Sequence, residues 1–532
     1  MKCTWGRSWA LAVGMVVLAV TAVGTATAAE KKTLVIGIDI SDTRTFDPAR
    51  MAQYSPPLTM GAAYDTLVTM KSADYVTIRP ALSTSWELSA DGAAWIFHLR
   101  DGVKFASGNP LTAEDVKFSF DRLVNLKDQP AEYAENVKST EVIDPLTVKV
   151  NMVDMNQPLL SLLVAPAFSI TDSKLLKAQG GVSGPEAEKK DTVVEWINQN
   201  SAGSGAYKLV RWTRNSEIVL ERNPHYWRGT PPFERVIIRH IGDSAAQLLA
   251  IKRGDIDVAF NLTPDQLETL NDNPDVRNVE LLSLDYMYMT LTSEPDYNKA
   301  LANKACRQAV THAIDFDGIS KGLLGGYSTR PATFIPVGLP GSSEETAKKY
   351  RYVQDLAKAK DLLKKCGRPD GFSFELNYAK AAIAGTSYDI VAQKLESDLS
   401  RVGIKAELTP LNQVSLRDRY KGGKSTAVLT FWNPDAPESY LWSQASVHRV
   451  ADRVRWKAPQ SVKDLVFQTA GERDQMKQDA LYQKYTEILV DQANYIILFQ
   501  PIYRWATRKE IMGYEPTAAG WHVDLFNVKP SE

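Results

Sequence analysis

One run of the chain carries residue types that suggest binding chemistry: Phe431-Trp432-Asn433-Pro434-Asp435-Ala436-Pro437-Glu438-Ser439-Tyr440-Leu441-Trp442. It follows Ala427-Val428-Leu429-Thr430, a strand pattern, so an acid and several aromatics are delivered together at a strand end. Such a cluster outlines a ligand site. The same residues also fit a Pro-rich loop whose Trp side chains pack on neighbouring elements while Asp435 caps the next helix.

Patterns for catalysis are weaker. The histidines stand at 98, 225, 240, 312, 448 and 522, and no two have the i, i+3 or i, i+4 spacing that puts two imidazoles on one metal. His98 alternates with Phe97 and Leu99 and reads as a structural strand residue. Gly422-Gly423-Lys424-Ser425 imitates the end of a phosphate loop, but position 418 is Asp where the first glycine belongs, so it reads as a turn. Gly203-Ser204-Gly205 lacks the Gly-x-Ser-x-Gly spacing of a nucleophile elbow. We expect no catalytic residue, no metal site and no cofactor.

The elements that must position the cluster are mixed α and β. The chain has 532 residues, 44% hydrophobic and 23% charged, enough for about three compact units. Its 62 basic and 63 acidic residues give a formal charge of −1, which argues against a nucleic-acid partner. Leu34-Val35-Ile36-Gly37-Ile38 suits a buried strand. Trp86 to Phe105 alternates around Ala90-Asp91-Gly92 as a hairpin, with Trp95, Phe97 and Leu99 on one face. Thr112 and the early acids Glu114 and Asp115 open a helix. Gln179 to Gly205 reads as a surface connection with a short helix near Val193 to Ile197. Helical patterns follow at Ser244 to Lys252, Lys304 to Asp315, Val353 to Lys365, Ser387 to Arg401 and Gln475 to Gln492, and strand patterns at Phe374 to Tyr378, Ala406 to Thr409 and Tyr495 to Phe499.

Residues 1–28 read as a secretory signal: Lys2 and Arg7, an apolar stretch from Trp9 to Val23, and the small-residue pattern Ala26-Thr27-Ala28. The mature chain then begins near Ala29 and is exported. Cys3 precedes the apolar stretch, so it is not placed to carry a lipid anchor. Cys306 and Cys366 remain after cleavage, and an oxidising compartment permits either a bridge between them or two separately buried thiols.

Taken together, three ordered blocks resemble the periplasmic solute-binding proteins of ABC transporters, specifically the oligopeptide and dipeptide-binding family, solute-binding protein family 5. The first block is Pro80-Ala81-Leu82 through Trp86, Asp91-Gly92, Trp95 to Phe105 and Leu111 to Val116, with Ser107 where the family usually has a turn glycine. The second is Gly203-Ser204-Gly205-Ala206-Tyr207, Asn223 to Trp227 and Gly254-Asp255-Ile256-Asp257; the third is Arg307-Gln308-Ala309 with Ala313-Ile314-Asp315.

The resemblance implies an α/β, two-lobed periplasmic-binding-protein-like fold of type II. Lobe I would span 29–289 plus 497–532, with an extra subdomain at about 62–200, and lobe II 290–496. Crossovers would lie near Leu281 to Leu291 and Ile496 to Tyr503. It also implies a monomeric periplasmic receptor that closes on a peptide or peptide-like solute and passes it to a membrane permease. Asp435 stands where peptide-binding members grip the ligand ammonium after Trp-x-x, with Trp432, Tyr440 and Trp442 as apolar walls or a cation–π face and Tyr54 as the contact from the other lobe. Leu429 stands where oligopeptide-binding members place an arginine for the ligand carboxylate. That departure leaves open an opine, a nickel complex, haem or an oligosaccharide as solute; an exported hydrolase is the rival from another class.

Overall fold

The apolar run near the N-terminus forms the strand Thr33–Ile38. It lies parallel to Arg235–His240 on one side and Val258–Ala259 on the other, and a strand flanked on both edges by parallel neighbours needs apolar residues on both faces. The structure, a computed structural model, describes residues 31–51, 55–71, 74, 77–432, 437–472, 474–516 and 523–531. The secretory signal at 1–28 therefore lies outside the described residues.

One path of paired strands runs Lys405–Leu411, Ser373–Ala379, Ala427–Trp432, Tyr286–Leu291, Tyr495–Arg508, Val258–Ala259, Thr33–Ile38, Arg235–His240, Glu217–Arg222, Tyr207–Thr213. The 14-residue strand Tyr495–Arg508 joins its two halves. Its first part pairs with Tyr286–Leu291, and its second part with Val276–Leu282 and Val258–Ala259. The sequence pattern predicts a strand over Tyr495 to Phe499, and the resemblance places a crossover near Ile496 to Tyr503; the strand runs on through Pro501, which pairs with Ser328 where the partners change.

Each half has its own core. Leu34, Phe46, Tyr207, Val236 and Trp505 belong to the first, and Met287, Val310, Leu376, Leu395 and Phe499 to the second. Met287, Met289, Leu498 and Phe499 all pack in the second core. A third core, including Phe97, Val116, Phe120 and Leu163, lies in the four-stranded layer Ser83–Leu88, Ala94–Leu99, Thr147–Met152, Val137–Asp144. The hairpin there has the expected face: Phe97 and Leu99 are buried, and Gly92 adopts φ +71° at the turn. Thr112 and Asp115 cap the helix Ala113–Leu126 reciprocally, Thr112 N–H donating to Asp115 Oδ2 at 2.8 Å. Gly422-Gly423 is a turn closing the helix Gln413–Lys421.

A buried ion cluster joins the four-stranded layer to the first half. Arg122, 2% exposed, donates from Nη1 and Nη2 to Asp47 at 2.7 and 2.5 Å and from Nε and Nη2 to Asp191 at 2.8 and 2.9 Å. Burial would raise the Asp191 carboxyl, but the Arg122 guanidinium and its hydrogen bonds more than offset this and hold it below the usual range. Within the second half the sulfurs of Cys306 and Cys366 are bonded, with Cα atoms 5.6 Å apart, clipping the helix Lys304–Ala313 to the end of Leu356–Lys365.

Two stability outcomes follow from these contacts. Arg122→Ala removes the close guanidinium and leaves the buried Asp47 and Asp191 only the longer contacts of Arg50, at 3.6 and 3.3 Å, and urea unfolding is expected to show a loss of ~3 kcal/mol. Cys366→Ser is expected to cost ~2–4 kcal/mol, measured by the same titration under oxidising conditions.

Candidate functional site

Where Tyr495–Arg508 passes between the halves there is a cavity of about 460 Å³. A larger one, about 620 Å³, is walled by the first half and the four-stranded layer alone, so a molecule bound in it would not touch both halves. There Asp65 serves the scaffold. It accepts from Ser204 Oγ at 2.8 Å and Trp227 Nε1 at 3.2 Å, and burial raises its carboxyl to about 6 against those bonds.

The smaller cavity has three walls. On the first half, Asp39 leaves the strand Thr33–Ile38 and Asp243 caps the helix Ser244–Arg253, accepting from Ala246 N–H at 2.7 Å. Asn261 is fixed between them: its Oδ1 accepts from Asp39 N–H at 3.3 Å and Gln247 Nε2 at 3.2 Å. On the second half stand Tyr327, Gly385 and Phe431. The backbone of Tyr327 is held to the joining strand by the Ile502 N–H, which donates to its carbonyl at 3.0 Å. The third wall is that strand itself, through Tyr503 and Arg504; the Tyr503 hydroxyl donates to Asp285 Oδ2 at 2.6 Å.

The halves touch away from the cavity as well. Ser161 Oγ donates to Glu438 Oε2 at 2.7 Å, and Arg449 Nη1 to Glu132 Oε2 at 2.5 Å. Burial pushes the Glu438 carboxyl up, partly offset by the bonds from Ser161 and Tyr440 N–H. Leu441 packs against the cores of both the four-stranded layer and the second half.

Of the residues singled out from sequence, Asp435 and Tyr54 lie outside the described residues. Trp432 ends the strand Ala427–Trp432, half-buried, with the Arg449 guanidinium 5.1 Å from its ring centre and Phe334 edge-on at 5.8 Å. Tyr440 and Trp442, 6% and 0% exposed, do not line the cavity; both pack in a second-half core. The helix Ser439–Val447 that carries them turns those rings inward, as the loop-packing alternative anticipates. Its cap is Glu438, whose Oε1 accepts from Tyr440 N–H at 3.2 Å, and not Asp435. Among its described residues the run therefore contributes Phe431 to the cavity wall, while Asp39, Asn261, Tyr327, Gly385 and Arg504 escape the sequence reading. One signal could have found Asp39: ligands bind at the carboxyl ends of parallel strands. Among the described residues, no group of three His, Cys, Asp or Glu is placed to hold a metal, and no helix is long and apolar enough to cross a membrane.

Residues 77–450 match the family described as bacterial extracellular solute-binding proteins, family 5 Middle. The chain belongs to this family. Among curated relatives, the probable D,D-dipeptide-binding periplasmic protein DdpA of Escherichia coli is 30% identical over 495 residues, 92% of each chain. The dipeptide-binding protein of Escherichia coli is 25% identical, covering 86% of this chain and 87% of that protein. Among solved structures, the periplasmic binding protein DppA from Helicobacter pylori, in complex with the peptide STSA, superposes with TM-score 0.78 at 24% identity over 94% of this chain and 99% of that one. The dipeptide binding protein from a Pseudoalteromonas species, in complex with Met-Leu, gives 0.81 at 18% identity over 94% and 100%. These superpositions show a two-lobed α/β fold, and the two halves of the sheet are its lobes.

In this family 5 protein Gly385 of the second lobe packs closely against the first. A Cβ there would lie 3.0 Å from Leu262 O and 3.1 Å from Thr263 Cα of the first lobe, and the residue adopts φ +74°. Gly385→Ala therefore adds a methyl to the contact between lobes and strains the turn by ~1–2 kcal/mol. We expect it to weaken solute affinity several-fold while each lobe keeps its fold, as measured by calorimetric titration beside a circular dichroism spectrum.

Proposed function

We propose that this chain is the periplasmic solute-binding component of an ABC transporter, which captures a peptide or peptide-like solute between its lobes and delivers it to the membrane permease. The observation that carries this reading is the cavity on the joining strand, walled by both lobes and lined by the Asp39, Asp243 and Arg504 side chains. A solute touching both walls stabilises the closed arrangement over the open one by its differential contacts. Relatives named for dipeptides, among them one named for D,D-dipeptides, support peptides as the solute class. The protein binds without catalysing a reaction, acts as a monomer, and reaches the periplasm through the segment 1–28 without a lipid anchor.

Lobe I, in this reading, comprises 29–289 with 497–532 and contains the extra subdomain at about 62–200, while lobe II comprises 290–496. Asp435, following Trp432 by three residues, is the proposed anchor for the solute ammonium, and Tyr54 the proposed contact from lobe I.

The test is calorimetric titration of the mature protein, stripped of retained solute, with Ala-Ala, Met-Leu and D-Ala-D-Ala, followed by mass spectrometry of the mixture. Intact peptide bound at one site per chain is expected; cleavage products would turn the reading to a hydrolase. Asp435→Asn is expected to cost ~1.5–3 kcal/mol of binding, the range for a hydrogen bond to a charged group.

A further inference from the structure

We propose that Arg504, on the strand shared by the lobes, receives the anionic end of the solute, so that the protein selects small molecules with a free carboxylate. This rests on the inter-lobe cavity being the solute site. Arg504 is 9% exposed, and among the described residues lining that cavity it is the one cation. Its guanidinium carbon lies 3.7 Å from the centre of the Tyr327 ring, so one face is covered by lobe II and the planar edge of N–H groups is left to seek acceptors.

The protein supplies few of them. Arg504 Nε lies 3.4 Å from Oε1 of Glu280, a half-exposed side chain, and Nη1 is buried with no hydrogen-bond partner among the described residues. A guanidinium has five donors in a fixed fork. Leaving a buried donor unsatisfied is unfavourable, whereas a carboxylate oxygen in the adjoining cavity would complete it with a charge-assisted bond. Tyr327 comes from lobe II while Arg504 stands on the joining strand, so an acid held at this point bears on the arrangement of the lobes as well as on affinity. Asp39, 3.4 Å from His240 Nδ1, and the helix cap Asp243 line the same cavity, and their negative charge complements a cationic group elsewhere on the solute, which makes a zwitterion the matching charge pattern.

The experiment compares Ala-Ala, Met-Leu and D-Ala-D-Ala with their C-terminal amides on the wild type, Arg504→Gln and Arg504→Lys, by calorimetric titration. The wild type is expected to prefer at least one free acid over its amide by ~10- to 100-fold, the ratio expected of a hydrogen bond to a charged group. Arg504→Gln should lose that preference, acid and amide binding with affinities within about threefold of each other, and Arg504→Lys should recover part of it. A circular dichroism spectrum and thermal transition matching the wild type certify that each variant has folded. A wild type that binds acid and amide equally overturns the proposal without using a variant, and so does an Arg504→Gln protein that keeps the preference; both leave the peptide-receptor reading standing. If no peptide or amide binds the wild type, the peptide reading falls and the Arg504 assignment falls with it.

Discussion

Two separately packed cores share a single 14-residue strand, Tyr495–Arg508. Its partners change midway, from Tyr286–Leu291 in one lobe to Val276–Leu282 and Val258–Ala259 in the other. The change falls where the backbone is tied by side chains. Gln500 is fully buried; its Nε2 donates to Ser283 O at 2.6 Å and to Val337 O at 2.9 Å, and its Oε1 accepts from Val337 N–H at 2.8 Å. Ser283 in turn donates from Oγ and N–H to Pro501 O at 3.0 and 3.2 Å. Such a crossing is secured at its centre, and freedom lies in the twist of the strands leading from it.

That arrangement explains where the chemistry gathers. Side chains on the shared strand are near both lobes in any conformation, so Tyr503 and Arg504 are natural floor residues for the cavity. Contacts such as Ser161 with Glu438 and Glu132 with Arg449 join the lobes outside the cavity. They are polar and partly hydrated, so each contributes modestly, and a small solute can tip the balance. The cluster of Asp47, Arg122 and Asp191 acts within one lobe instead, fixing the four-stranded layer to it so that Glu132 and Ser161 move with lobe I as a body.

Much of this fold is legible in the sequence because local rules and tertiary packing agree. Trp95, Phe97 and Leu99 alternate as a half-buried strand should, and the pattern at Gln475 to Gln492 forms a helix over the same residues. Local pattern alone stops the shared strand at Phe499; its continuation through Pro501 rests on Ser328 and Thr329, which pair with Pro501 and Gln500 from a distant part of the chain. The site is less legible for the same reason. An acid-and-aromatic run stands out by composition, but composition does not say which way a helix faces, and Tyr440 and Trp442 face the core. Arg504 lies between Tyr503 and Trp505 in the shared strand; only the placement of Tyr327 and the cavity distinguishes it from an arginine reaching to solvent.

The bonded cysteines both belong to the second lobe, so the covalent loop they close never spans the crossing. Reduction would thus loosen that lobe without releasing any covalent tie between the two. A receptor built in this way takes its toughness from a staple on one side of its cleft.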